Sequence, residues 1–298
     1  MKSNTEFLDP TLMDLDTRSN MDLLQVLLAS QRSAVDAVAA VQAELAEAVS
    51  QASTRLGQGQ GRLIMVGAGA SGRLAVQDGA ELWPTYGWPS DRLHLSIAGG
   101  ERALLHSVEG VEDDASNAIA EAQQLELSQH DVVVGLAASG RSPWTVAWIE
   151  AARAAGAYSI GIANNPDTPL MHAAECAVFL NSGNEVLGGS TRMSAGTSQK
   201  IILNLFSTTL MIRLNRTYGN LMVDMAAVNR KLDDRRLRML QAIHPNLATE
   251  SAQQALDKTD GWVKLAAVVA AGVPVDEARV KLEQQQGSLR AVLEEMKR

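Results

Sequence analysis

Apolar residues fall into two different periods along this chain. Up to about Leu56, alanine, leucine, glutamate and glutamine dominate and no glycine occurs before Gly57, a pattern that predicts helix. Beyond it come short runs that are apolar at nearly every position. GRLIMVG (61–67), LHLSIAG (93–99), DVVVGLAAS (131–139), YSIGIA (158–163) and AVFLN (177–181) predict strands, and Arg73–Glu81, Asp113–Leu127 and Pro143–Ala155 between them predict helices. Apolar strands alternating with helices predict an α/β fold, a doubly wound five-stranded parallel sheet flanked by helices. Ser190–Leu214 is almost uncharged and predicts a helix deep in the molecule or in a dimer interface. Two more helices are expected between Leu221 and about Ile243. After His244-Pro245-Asn246, the segments Ser251–Leu256, Trp262–Ala271 and Val275–Met296, the last broken at Gly287, predict a small C-terminal helical subdomain. The expected organisation is an N-terminal helical arm (1–56), an α/β domain (57–245) and a small three-helix unit (246–298). No repeat of 20 to 50 residues is visible.

Composition narrows the class. Of 298 residues, 46% are hydrophobic and 20% charged, which excludes a disordered chain, and an aromatic share of 4% makes the core aliphatic. The single cysteine, Cys176, excludes a disulfide framework and a cysteine metal cluster and fits a reducing compartment. With a net charge of −8, the chain has no general attraction for nucleic acid or anionic membranes, so an anionic ligand must be held by local geometry. The apolar stretch Ile201–Ile212 is too short to span a bilayer, and the opening MKSNTEFLDP lacks the apolar segment of a signal peptide. A cytoplasmic location is expected.

Two glycine turns carry the candidate chemistry. In VGAGASGRL (66–74) a strand runs into a glycine-rich turn and then a helix, so that backbone N–H groups around Gly69, Ser71, Gly72 and Arg73 can approach an anion at the helix N-terminus. The G-x-G-x-x-G spacing suggests a dinucleotide turn, but no acidic residue ends a second strand about 20 residues on. GLAASGRSPW (135–144) repeats the Ser-Gly-Arg pattern with Ser139, Gly140, Arg141 and Ser142. Pro143 marks a helix start there. Both turns belong at the carboxyl ends of parallel strands, where such folds bind ligands, and two cradles imply a phosphosugar. Ser142 also reads as an ordinary N-cap, which is compatible with binding.

Several longer strings, GAGASGRL (67–74), DGAELWPTYG (78–87), IAGGERALLHSVEGVED (97–113), GSTRMSAGTSQK (189–200) and YGNLMVDMAAVNRKLDDR (218–235), together resemble the N-acetylmuramic acid 6-phosphate etherase family, built on the sugar isomerase (SIS) fold. The resemblance implies cleavage of a D-lactyl ether to N-acetylglucosamine 6-phosphate and D-lactate, by a homodimer with shared sites. It implies no metal and no redox cofactor. Glu81 falls where the family has its proton donor, and Glu112 where it has a second acid or base. From the residues alone, Glu109, Glu112, Asp113 and Asp114 are equivalent candidates; the resemblance selects Glu112. Leu82 and Trp83 beside Glu81 suggest a desolvated setting that would keep its carboxyl protonated. In the stretch 184–200, Ser190, Arg192 and Lys200 suit recognition of sugar or carboxylate, and Glu185 is expected to assist at the sugar C1. A plain structural reading makes the serines and threonines there helix caps.

The chain departs from the family pattern at Ala70, where threonine is usual, at Leu82-Trp83, where cysteine-proline is common, and at Gly188, where threonine stands. LLASQRSAV (27–35) lacks an acidic pair. Two other functions suit the fold, a phosphosugar-binding regulator without turnover and an aldose–ketose isomerase, which has no use for an acid at C3.

Overall fold

A computed structural model describes residues 4–225 and 230–297. The chain divides into two compact units, one of Met1–Gly79 and Asp91–Ser207 and one of Ala80–Ser90 and Thr208–Arg298. In the first, 3-10 turns at Asn4–Glu6, Pro10–Leu12 and Leu15–Thr17 precede helices α1 (Asn20–Ala39) and α2 (Gln42–Gly57). The strands follow as β1 (Leu63–Gly67), β2 (Leu93–Ile97), β3 (Val132–Leu136), β4 (Tyr158–Ala163) and β5 (Cys176–Phe179), all parallel, in the order β2-β1-β3-β4-β5. Every residue of β1, β3 and β4 is buried, as the runs of aliphatic residues require of strands covered on both faces. Helices α3 (Gly69–Ala80), α4 (Leu82–Tyr86, which belongs to the second unit), α5 (Arg102–Leu105), α6 (Ala115–Gln124), α7 (Pro143–Ala154) and α8 (Pro169–Ala173) lie between the strands in sequence, and α9 (Ser194–Arg213) follows β5. Trp144, Trp148 and Ile149 of α7 are buried with Ile64 and Val133 of the sheet, and Trp144 Nε1 donates to Asn117 Oδ1 at 3.0 Å.

The strand order reverses between β1 and β3. The chain leaves β1 toward β2 on one side and β3 toward β4 on the other, which opens a crevice at their carboxyl ends, the usual ligand position in doubly wound sheets.

The second unit carries α10 (Arg230–Ile243), α11 (Thr249–Asp257), α12 (Val263–Ala270), α13 (Val275–Gln284) and α14 (Leu289–Glu295). Leu240, Leu256, Leu265, Val268, Leu282 and Val292 are buried together. The glycine break at Gly287 separates α13 from α14, so the tail after residue 246 holds four helices where three segments were expected. Between Leu221 and Ile243 the described residues contain α10 alone, and the rest of that expectation, 226–229, lies outside them.

The compact units do not follow the consecutive segments 1–56, 57–245 and 246–298. The arm packs on the sheet, with Ala48, Val49, Ala52 and Leu56 of α2 buried and Arg55 stacked 4.8 Å from the Tyr158 ring centre. Residues 80–90 pack with the chain beyond Ser207: the Arg216 guanidinium donates to the Gly87 carbonyl at 3.3 Å and lies over Trp88. The nearly uncharged helix begins at Ser194 rather than Ser190. It is not buried all round, since Leu205 is exposed while Ile202, Leu203 and Phe206 are not.

Candidate functional site

Local sequence dictates the first turn. Gly72 N–H donates to the Ala68 carbonyl at 3.1 Å as α3 begins, and a Cβ on Gly72 would stand 2.5 Å from the Gly67 oxygen and 2.7 Å from Ile97 Cγ1. Glycine therefore lets α3 start hard against β1, with Ser71 buried at the crevice.

The second turn follows β3, the direct neighbour of β1. Ser139 Oγ accepts from the Arg141 N–H at 3.2 Å. Gly140 has φ 66° with Thr168 packed where a side chain would be, so the turn holds a left-handed residue that must be small. Ser142 caps α7, its hydroxyl facing the Thr145 N–H, and the same Oγ donates to the Glu112 carbonyl at 3.2 Å. Glu112 lies on the exposed 3-10 turn Val111–Asp113. Arg73 secures the chain before it: Nε donates to the Ala103 and Leu104 carbonyls at 2.9 and 3.2 Å, and Nη2 to the His106 carbonyl at 3.0 Å. Arg73 and Ser142 thus hold the stretch carrying Glu112 from both sides. Arg73 acts there as an architectural clasp as well as a cation.

The third stretch is built around Glu185. Its buried carboxylate accepts from the Ser194 and Ala195 N–H groups, each at 2.9 Å, and so caps the N-terminus of α9. Ser190 lies in the turns before that helix. Beyond it, Lys200 Nζ stands 3.6 Å from buried Asp78 Oδ1, which also accepts from Asn204. Ala70, Arg73 and Leu74 of α3 face Arg192, Thr197 and Lys200 across a pocket of about 470 Å³. Gly188 has a local explanation: the Leu8 side chain sits where a Cβ would point.

The first unit therefore gathers Gly69, Ser71, Gly72 and Arg73 with Ser139, Gly140, Arg141, Ser142 and Glu112 at adjoining strand ends, and links the first turn to Arg192 and Lys200 through the pocket. Glu81 belongs to the second unit, at the start of α4. It is exposed, and Trp83 is 53% exposed, so the desolvated setting expected from Leu82-Trp83 is absent within the chain: α4 turns Leu82 inward and leaves its neighbours out. Sequence reasoning missed the groups that hold α9. Asn164 Nδ2 donates to the Ser182 and Ser198 hydroxyls, Gln199 donates to Asn164 Oδ1, and Gln31 accepts from Thr197 Oγ1. No local motif marks them, because each partner comes from a distant part of the chain.

Comparison with known proteins places this arrangement. Residues 29–153 match the glucokinase regulatory protein N-terminal SIS domain, and residues 111–208 match the SIS domain. The chain is 45% identical over 293 residues to an N-acetylmuramic acid 6-phosphate etherase of Deinococcus radiodurans, covering 98% of this chain and 95% of that protein. Proteins of the same name from Edwardsiella ictaluri and Pectobacterium atrosepticum are 41% and 42% identical, over 98% and 97% of this chain and 97% and 95% of theirs. Identity of 41–45% to these relatives across nearly the whole chain, with the SIS-domain match over its parallel sheet, shows that the chain belongs to the N-acetylmuramic acid 6-phosphate etherase family, on an SIS-type fold.

Proposed function

We propose that the protein cleaves the D-lactyl ether of N-acetylmuramic acid 6-phosphate, giving N-acetylglucosamine 6-phosphate and D-lactate, and is a carbon–oxygen lyase. The observation that carries this reading is identity of 41–45% to proteins named for that etherase activity, across nearly the whole chain. In the open-chain sugar the C2 proton is acidic because it lies α to the aldehyde, and the ether oxygen sits at C3. A base takes the C2 proton, the C3–O bond breaks, and the departing oxygen takes a proton to leave as lactate. Water then adds across the C2=C3 bond, its oxygen to C3 and a proton to C2, with no net redox change. Glu81 serves as proton donor and Glu112 as the second acid or base. Gly69, Ser71, Gly72, Ser139, Gly140, Arg141 and Ser142 hold the phosphorylated end, and Ser190, Arg192 and Lys200 recognise the sugar or the carboxylate of its ether arm. Arg73 and Glu185 contribute by positioning, as the hydrogen bonds they make support.

The test is incubation with N-acetylmuramic acid 6-phosphate in heavy water, without added metal or nucleotide. D-lactate release with deuterium at C2 is expected, and Glu81→Gln and Glu112→Gln each lower kcat by about 10²–10⁴-fold. Failure to release lactate, while an established etherase does so in parallel, ends the assignment. The match of residues 29–153 to a regulatory protein's domain favours a second reading, a phosphosugar-binding regulator. That reading is supported if neither the wild type nor Glu81→Gln turns substrate over while both bind it equally. A ketose phosphate product would instead mark an isomerase.

We further infer a homodimer with shared active sites in the cytoplasm. Met21, Leu24, Leu28 and Val35 are exposed on α1, and spacings of three, four and seven residues align them along one stripe suited to a partner surface. A monomer by sedimentation at micromolar concentration contradicts it.

A further inference from the structure

The sugar proposed as substrate carries two anions, a 6-phosphate and the carboxylate of the ether arm, while the product sugar keeps only the phosphate. The two glycine turns account for one anion. The pocket between α3 and α9 has the composition for the other. Its walls are apolar at Ala70, Leu74 and Ile201, and cationic at Arg73, Arg192 and Lys200, in a chain whose net charge is −8. Its volume of about 470 Å³ exceeds what a three-carbon acid needs, given that a water takes about 30 Å³.

The three cations are not equivalent. Arg73 is engaged by the carbonyls of Ala103, Leu104 and His106. Lys200 stands beside Asp78, whose Oδ2 is buried without a hydrogen-bond partner, so its charge is already matched by an acid. The N-terminus of α9 is closed to a ligand carboxylate because Glu185 occupies its N–H groups. Arg192 is exposed and makes no ion pair among the described residues. Its planar guanidinium is the group suited to a two-point contact with a carboxylate.

Resting on the substrate reading above, we propose that this pocket is the subsite for the lactyl arm. Arg192 binds its carboxylate, and Ala70, Leu74 and Ile201 receive its methyl group. Arg192 is thereby the residue that distinguishes the etherified substrate from the product sugar.

The test pairs Arg192→Gln with three ligands measured by calorimetry and, where turnover occurs, by kinetics. These are N-acetylmuramic acid 6-phosphate, its neutral lactyl amide and N-acetylglucosamine 6-phosphate. The wild type is expected to favour acid over amide by about 10- to 100-fold, the value of a charge-assisted contact. In Arg192→Gln that preference falls to within about threefold while affinity for N-acetylglucosamine 6-phosphate is unchanged. Arg192→Lys recovers part of the preference, and an unshifted melting temperature confirms that the fold is intact. A wild type that binds acid and amide equally, a preference that survives in Arg192→Gln, or equal weakening of all three ligands overturns the proposal. Acid selectivity in a wild type that releases no lactate keeps the subsite and removes the etherase reading; lactate release with no acid selectivity does the reverse.

Discussion

Glu185 offers a direct contest between catalysis and architecture. The sequence reading set it at the sugar C1, whereas the structure commits both its oxygens to the Ser194 and Ala195 N–H groups at 2.9 Å, with the side chain buried. Glu185→Gln keeps the shape but leaves one oxygen, and turns an NH2 group toward one of the two N–H donors. One charge-assisted hydrogen bond, about 1.5–3 kcal/mol, is lost, and a buried N–H is left without an acceptor. The expected cost is about 2–4 kcal/mol, which at about 2–4 °C per kcal/mol lowers Tm by roughly 4–16 °C. Thermal unfolding followed by circular dichroism measures this, with kcat and KM taken well below the lowered Tm. Because α9 carries Lys200 and Arg192 lies two residues before its start, KM is expected to rise several-fold while kcat changes little. A variant with wild-type Tm and a kcat reduced by 10²-fold or more refutes the capping argument and restores a catalytic Glu185.

Two further tests probe buried charges. Burial opposes ionisation of Asp131, but hydrogen bonds from the Arg62 side chain and from the Arg62 and Ser128 backbone outweigh it and hold the carboxyl below its usual 3.8. A depressed folded pKa contributes stability that is present above 3.8 and lost as pH falls through the folded value, so Asp131→Asn costs about 3–5 kcal/mol at pH 7 and progressively less under acid. A stability difference independent of pH from 7 to 2, in denaturant melts, contradicts this. In the second unit, buried Lys264 donates to Asp224 Oδ2 and to the Asn215 carbonyl at 2.7 Å. Lys264→Met takes the nearer cation from the Asp224 carboxylate, which keeps Trp262 Nε1 at 2.8 Å and Arg216 at 3.7 Å, and costs about 1.5–3 kcal/mol, and adding Asp224→Asn returns part of it; additive losses in the double variant argue against the pairing.

The architecture was legible because its signals are local. Each strand run became a strand: DVVVGLAAS became Val132–Leu136 because a short β-branched run between helices suits a strand covered on both faces. Pro143 began α7 where its missing N–H does no harm. The site was legible in part. The turns could be read from their glycines, but the duties of Arg73 and Glu185 could not, since their partners are backbone groups that any sequence supplies. The setting of Glu81 was misread because neighbours in sequence need not be neighbours in space: a short helix buried Leu82 and exposed Trp83.

By itself, the order of residues determined the succession of helices and strands and the two turns, because period, proline and the absence of a Cβ act within a few residues of where they stand. Folding in three dimensions decided the rest. Strand order brought the ends of β1 and β3 side by side, a carboxylate ten positions upstream of Ala195 became the cap of α9, and residues 80–90 joined the chain beyond Ser207. Those outcomes depend on which distant surfaces bury the most apolar area and leave the fewest polar groups unpaired, a sum taken over the whole chain that no local pattern contains.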